Sequence, residues 1–158
     1  MKIIYIPLDE RPCNRLYPEY IANCNDEIEI VSPDISILGR KKQSGNLELI
    51  WSFLEENIED VDVAILSIDM LLYGGLLPSR LHKNTLEELE LYVNKIEKLK
   101  TINKNLKIYA FNLIMRTPKY NSSDEEPYYY EFYGEDIFKR SHLIDKKNRN
   151  IVLVIFHI

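Results

Sequence analysis

Three short segments of this chain gather the residue types that chemistry on a small molecule needs. The first, Pro7-Leu8-Asp9-Glu10-Arg11-Pro12-Cys13-Asn14, brings a carboxylate, a guanidinium and an amide close together. The second runs from Asp69 through Tyr73-Gly74-Gly75 to Arg80, and the third holds Asn112 and Arg116. Asp9 and Asp69 are candidates for a carboxylate pair. A glycosidase uses one carboxyl as acid and a second as base or nucleophile, roughly 5 to 10 Å apart. The same two side chains could instead serve as hard oxygen ligands for Mg²⁺ or Mn²⁺ in a metal-dependent hydrolase. The plainer reading is that each caps the turn or helix that follows it, which Asp does well.

Arg11, Arg80 and Arg116 bind carboxylates and phosphates in a bidentate way, so they suit an anionic substrate, or they neutralise Asp9 and Asp69 in ion pairs. Asn14 and Asn112 donate and accept at once, as sugar hydroxyls require. Between 120 and 133, Tyr120, Tyr128, Tyr129, Tyr130, Phe132 and Tyr133 interleave with Asp124, Glu125, Glu126 and Glu131. Aromatic faces beside carboxylates would stack on sugar rings, with Tyr128 opening such a wall. Rings packed on a neighbouring core would give the same pattern. Base stacking on nucleic acid would want basic company instead.

Positioning these segments is the task of the elements around them. Lys2-Ile-Ile-Tyr-Ile6 reads as a buried strand closed by Pro7, and Glu27 to Val31 as a second strand nearer an edge. Asn46 to Ile58 places Leu47, Ile50, Trp51, Leu54 and Ile58 on one helical face. Val63 to Ile68 and Leu106 to Phe111 are further strands. Between them Thr85-Leu-Glu-Glu88 has capping-box spacing and opens a long helix with an inner stripe of Leu86, Leu89, Val93, Ile96 and Leu99. Strand and helix alternate, which predicts βα crossovers and a parallel α/β sheet, either open or forming the first strands of a (βα)₈ barrel. Each chemical segment follows a strand, so all three are expected at the carboxyl edge of the sheet, where α/β folds bind ligands.

Composition narrows the function classes. The chain has 158 residues, 46% of them apolar and 28% charged, enough apolar material for one globular α/β domain over residues 1–158. A net charge of −5 gives no electrostatic footprint for nucleic acid or for an anionic membrane. Neither a G-x-G-x-x-G nor a Walker pattern is present, so no nucleotide fold is indicated and no cofactor is named. His82, His142 and His157 have no metal-ligand spacing, and no metal ligand set is assigned. Cys13 and Cys24 are too few for a disulfide framework, and Cys13 is expected as a small buried filler. With no secretory h-region and no membrane-length apolar run, the expected location is the cytoplasm, and the expected partner is a small molecule or carbohydrate.

The three segments resemble the opening blocks of a bacterial family known as domain of unknown function 4127. Its motif of the form PLDxRPxN is similar to residues 7–14 here, and Ser67 to Gly75 with the later Arg80 resembles a second block. Phe111-Asn112 through Arg116, then Tyr120-Asn121 to Glu126-Pro127-Tyr128, resembles a third. The resemblance covers about residues 1–145. It implies a site at these positions without naming a reaction. It also implies a truncated chain, because members of the family are longer and residues 146–158 depart from the pattern, ending in the apolar run 151–158. The expected function is a hydrolase-like site, carbohydrate-active of glycosidase type. The alternatives are a divalent-metal hydrolase of an anionic substrate, a binding module, or an inactive fragment.

Overall fold

The structure, a computed structural model, describes residues 1–149. The expected final strand at 151–158 lies outside the described residues. The elements run β1 (Lys2–Ile6), α1 (Pro12–Arg15), α2 (Tyr17–Ala22), β2 (Glu29–Val31), a 3-10 turn (Ile35–Ile37), α3 (Leu47–Asn57), β3 (Val63–Ser67), α4 (Ile68–Tyr73), α5 (Leu76–Leu81), α6 (Leu86–Ile102), β4 (Lys107–Phe111) and α7 (Tyr130–Asn148). Two compact units divide the chain, the first from Met1 to Leu113 and the second from Ile114 onward.

The first unit is built on a parallel sheet of four strands in the order β2-β1-β3-β4. In a (βα)₈ barrel consecutive strands are neighbours, so this order selects the open sheet. The chain passes from β1 outward to β2, then crosses back over β1 to reach β3 and β4. The strand order therefore reverses between β1 and β3. Ile3 pairs with Val63 and Ile6 with Leu66, which brings both strands to the same edge in step. Ser67 pairs in turn with Phe111.

One face of the sheet supplies Ile4, Ile6, Ala64 and Leu66 to the core, where they meet Ile50, Trp51 and Leu54 of α3. Asn46 caps α3 by accepting the Leu49 N–H at 3.1 Å. The Trp51 indole is buried, donates to the Leu71 carbonyl at 3.0 Å, and so joins α3 to α4. Among the described residues no helix is long and apolar enough to cross a membrane.

Helix α6 has the expected capping box at Thr85 and Glu88, but its buried face differs from the expected stripe. Leu86 is 69% exposed and Val93 44% exposed. Leu89, Tyr92, Ile96 and Leu99 pack on the core instead. At about 100° per residue those four fall within an arc of roughly 80°, and Leu86 and Val93 stand roughly 80–100° from its centre. Tyr92 decides the rotation: its ring stacks on Trp51 with centroids 6.1 Å apart. Lys95 Nζ, 5.1 Å from the Trp51 ring centroid, holds the same orientation.

The segment after β3 is helical from its first residue. Ser67 caps α4 by accepting the Met70 N–H at 3.2 Å, and Met70, Leu71 and Leu72 are all buried. Gly74 ends the helix in the left-handed conformation at φ +80°. A Cβ there would collide with Ser44 Oγ and the Gly45 backbone.

In the second unit an irregular segment leads into α7, whose buried residues are Tyr130 and Gly134. Tyr128 meets Phe132 edge-on at 5.4 Å. Gly134 allows the close approach of the Tyr120 carbonyl, which a Cβ would obstruct.

Two stability outcomes follow from the packing. Leu99→Ala should cost about 2–5 kcal/mol, whereas Leu86→Ala should stay within about 0.5 kcal/mol. Urea unfolding of the two variants checks the rotation of α6, and equal losses would contradict it. Gly74→Ala should cost at least about 1–2 kcal/mol from its backbone conformation alone. An unchanged unfolding midpoint would rule out the left-handed cap.

Candidate functional site

The β1–β3 reversal places the residues that follow these strands side by side. Asp9 stands three residues beyond Ile6, and Asp69 three residues beyond Leu66, the register partner of Ile6. The two carboxylates therefore begin from the same level of the sheet. Ligands of open α/β folds bind at this kind of switch point, outside the carboxyl ends of the strands.

Asp9 is 6% exposed and its oxygens are surrounded by donors. Oδ1 accepts the Arg11 backbone N–H at 3.1 Å and Asn14 Nδ2 at 2.7 Å. Oδ2 accepts Arg11 Nε at 2.9 Å and Nη2 at 2.6 Å, a two-pronged ion pair. The bond to the backbone two residues on is an Asx turn. It closes the loop just before Pro12, whose fixed φ suits the first turn of α1. Four donors match the four lone-pair sites of a carboxylate. Asp9 thus holds Arg11 and Asn14 in place.

Asp69 is in a different state. It is 4% exposed, in the first turn of α4, where the helix dipole favours a negative charge. Its Oδ2 accepts the Leu113 N–H at 3.0 Å. Its Oδ1 makes no hydrogen bond among the described residues. This is a nearly buried carboxylate with one oxygen fixed and the other open. Asn112, exposed on the adjoining turn after β4, lies next to the residue that fixes it.

Sequence reasoning missed Tyr5. Its hydroxyl donates to the Asn14 carbonyl at 2.6 Å and so fixes the far end of the Asp9 loop. Burial first, then the Asp9 carboxylate, pushes the Tyr5 phenol above its ordinary range, against a lesser pull from Arg15. A signal was available: a phenol inside an aliphatic buried strand must find a polar partner for its tip. Arg15 reinforces the same wall, donating from Nε to the Pro33 carbonyl at 3.1 Å and pairing with Glu19 at 2.5 Å.

The remaining expected residues divide between elements and units. Tyr73 closes α4 and its ring lies 4.4 Å from the His82 ring, in a groove beside α5. Arg80 stands partly buried in the last turn of α5. Arg116 and Tyr128 belong to the second unit. There Arg116 donates to the Tyr120 hydroxyl at 3.1 Å and lies 3.7 Å from both Glu125 and Glu126. Tyr128 is 71% exposed. Cys13, expected to be buried, is exposed, because α1 turns its short first helix toward solvent and buries none of its residues. Among the described residues no group of three His, Cys, Asp or Glu side chains is arranged to hold a metal ion.

Residues 3–153 match the sequence profile of a family described as protein of unknown function, DUF4127. The match extends past residue 145, the limit of the resemblance described above. No curated protein and no solved structure matches the chain.

The raised Tyr5 pKa has a definite pH consequence. Its contribution to stability is complete below the ordinary tyrosine value of about 10 and is lost as pH rises through the higher folded value. Tyr5→Phe should cost about 1 kcal/mol at neutral pH through the lost hydrogen bond to Asn14, and should lessen the loss above about pH 10. Denaturant unfolding of both proteins at neutral and alkaline pH measures this. Parallel pH profiles would show that the phenol is not held in its protonated form.

Proposed function

The chain belongs to the DUF4127 family of proteins of unknown function, and from that premise we propose that its first unit carries a hydrolase-type site for a small carbohydrate derivative. The observation behind this reading is Asp69: a nearly buried carboxylate at the switch point with one oxygen pinned and the other open. Such a group takes a proton from a water molecule or a substrate hydroxyl, the task of a general base. Arg11, held by Asp9 through Nε and Nη2 and half exposed, places a guanidinium at the edge of the site as a polar group that positions the substrate. Asn14 keeps its side-chain oxygen as an acceptor while its amide nitrogen serves Asp9, and Asn112 offers both donor and acceptor.

In this reading Asp9 is a positioning residue rather than the second carboxyl of a glycosidase pair. The saturated environment of Asp9 supports that division of roles. A divalent-metal mechanism would rest on Asp69 with water and substrate oxygens, since the neighbouring Asp9 is occupied by Arg11 and Asn14.

The test is turnover of a panel of chromogenic glycosides and sugar phosphates by the full chain, with and without EDTA. Asp69→Asn should lower kcat/KM by at least about 10²-fold. Asp9→Asn should act mainly on KM, by releasing Arg11. If Asp69→Asn turns over substrate like the parent, the proposed base is wrong. Turnover that EDTA abolishes and Mn²⁺ restores would move the mechanism to metal-assisted hydrolysis.

A further inference from the structure

Helix α7 of the second unit is thinly covered for its length. It has 19 residues, of which only Tyr130 and Gly134 are buried. The segment before it packs on that side. The Ser122 N–H donates to the Tyr130 carbonyl at 3.2 Å, and Lys119 Nζ lies 5.3 Å from the Phe138 ring centroid. Beside this covered arc runs a second stripe. Tyr133, Ile137, Arg140 and Ile144 follow at i, i+4, i+7 and i+11, which confines them to an arc of roughly 60°. Tyr133 is 60% exposed and Ile144 41% exposed.

The charges of the helix are sorted along its axis. Between 130 and 138 it carries Glu131, Glu135 and Asp136 and no basic residue. Between 139 and 149 stand Lys139, Arg140, Lys146, Lys147 and Arg149, with Asp145 the one acidic residue. The helix dipole rewards such sorting only in the first and last turns, whereas Asp136 and Arg140 lie in the middle. Asp136 borders the stripe, roughly 40° from Arg140 around the axis. Glu135 pairs with Lys139 and Asp145 with Arg149, each four residues apart. Arg140 makes no ion pair among the described residues.

We propose that this stripe pairs α7 antiparallel with α7 of a second copy of the chain. Around a two-fold axis between 138 and 139, Tyr133 meets Ile144 of the other copy. Ile137 packs on the aliphatic stem of the other copy's Arg140, whose guanidinium reaches out to Asp136 at the rim. A two-fold interface uses the same patch on both copies, so each contact forms twice. A parallel pairing would instead set acidic half against acidic half. Four stripe residues a side fall short of the roughly 20–30 of a standard interface, so the dimer is weak and reversible. The pairing concerns the second unit alone and does not depend on the function proposed for the first.

Sedimentation equilibrium of the full chain at low salt and rising concentration reads the association. The average mass should climb above 18.7 kDa toward twice that value. Arg140→Glu and Asp136→Arg should each weaken self-association at least about tenfold, because like charges then face each other twice. Mixed in equal amounts, the two variants should associate as the parent does, since every facing pair is again of opposite sign. Ile144→Ser should weaken association, and Leu143→Ser, an exposed neighbour outside the stripe, should not. Far-UV circular dichroism checks that each variant keeps its helix. A chain that stays at monomer mass at every concentration would overturn the inference. So would association that survives either charge reversal, a mixture that fails to restore it, or a greater loss in Leu143→Ser than in Ile144→Ser.

Discussion

The parallel pairing of β1 with β3 is the constraint from which the rest of the first unit follows. These are the two central strands, and their register sets Ile6 beside Leu66. Because β2 lies on one side of the pair and β4 on the other, each chain segment leaving the carboxyl edge turns away from its neighbour. The crevice between them is a product of topology before any side chain is considered. It is bordered by α4, which begins directly after β3 and whose apolar face is buried against the Trp51 cluster. A parallel sheet needs cover on its faces, and here Trp51, Leu54, Leu71 and Leu99 bring three helices onto the same aliphatic strand residues.

Two aspartates at equivalent levels of that edge acquire different chemistry from their surroundings. Asp9 sits in a tight loop whose own arginine and asparagine fold back on it, and the charge is neutralised within the loop. Asp69 sits on a helical turn where its own neighbours are Met70, Leu71 and Leu72, none with a side-chain donor to offer. Its single hydrogen bond comes from a different strand end, through the Leu113 N–H. A carboxylate satisfied locally becomes a brace, whereas one satisfied at a distance keeps an oxygen in reserve. The same contrast explains why Tyr5 matters: it braces the Asp9 loop from the strand beneath, and burial keeps its phenol protonated over a wider pH range.

The fold was legible wherever a local rule had no competitor. The aliphatic runs at β1 and β3, the Asn46 cap of α3 and the capping box at Thr85 are all formed by neighbours in sequence, and each appears where expected. The failures have physical causes. The face of α6 was misjudged because a stripe of Leu and Val is degenerate by one position, and only the Trp51 ring, about forty residues away in sequence, selects Tyr92 over Val93. The segment after β3 had no element assigned to it from sequence, because its paired glycines mark a break. The residues before them are helix formers, and burial of Met70 to Leu72 extends the helix to the strand itself.

Sequence alone determined the alternation of strands and helices, the parallel α/β class, the family, and the candidate residues at the strand ends. These depend on period, propensity and motif, all written in neighbouring residues. Tertiary structure decided the strand order that excludes a barrel, the saturation of Asp9, the open oxygen of Asp69 and the groove lined by Tyr73 and His82. Each of these depends on groups brought together from distant parts of the chain. A carboxylate's role is set by how many donors reach it, and that number is fixed only when the strands have paired.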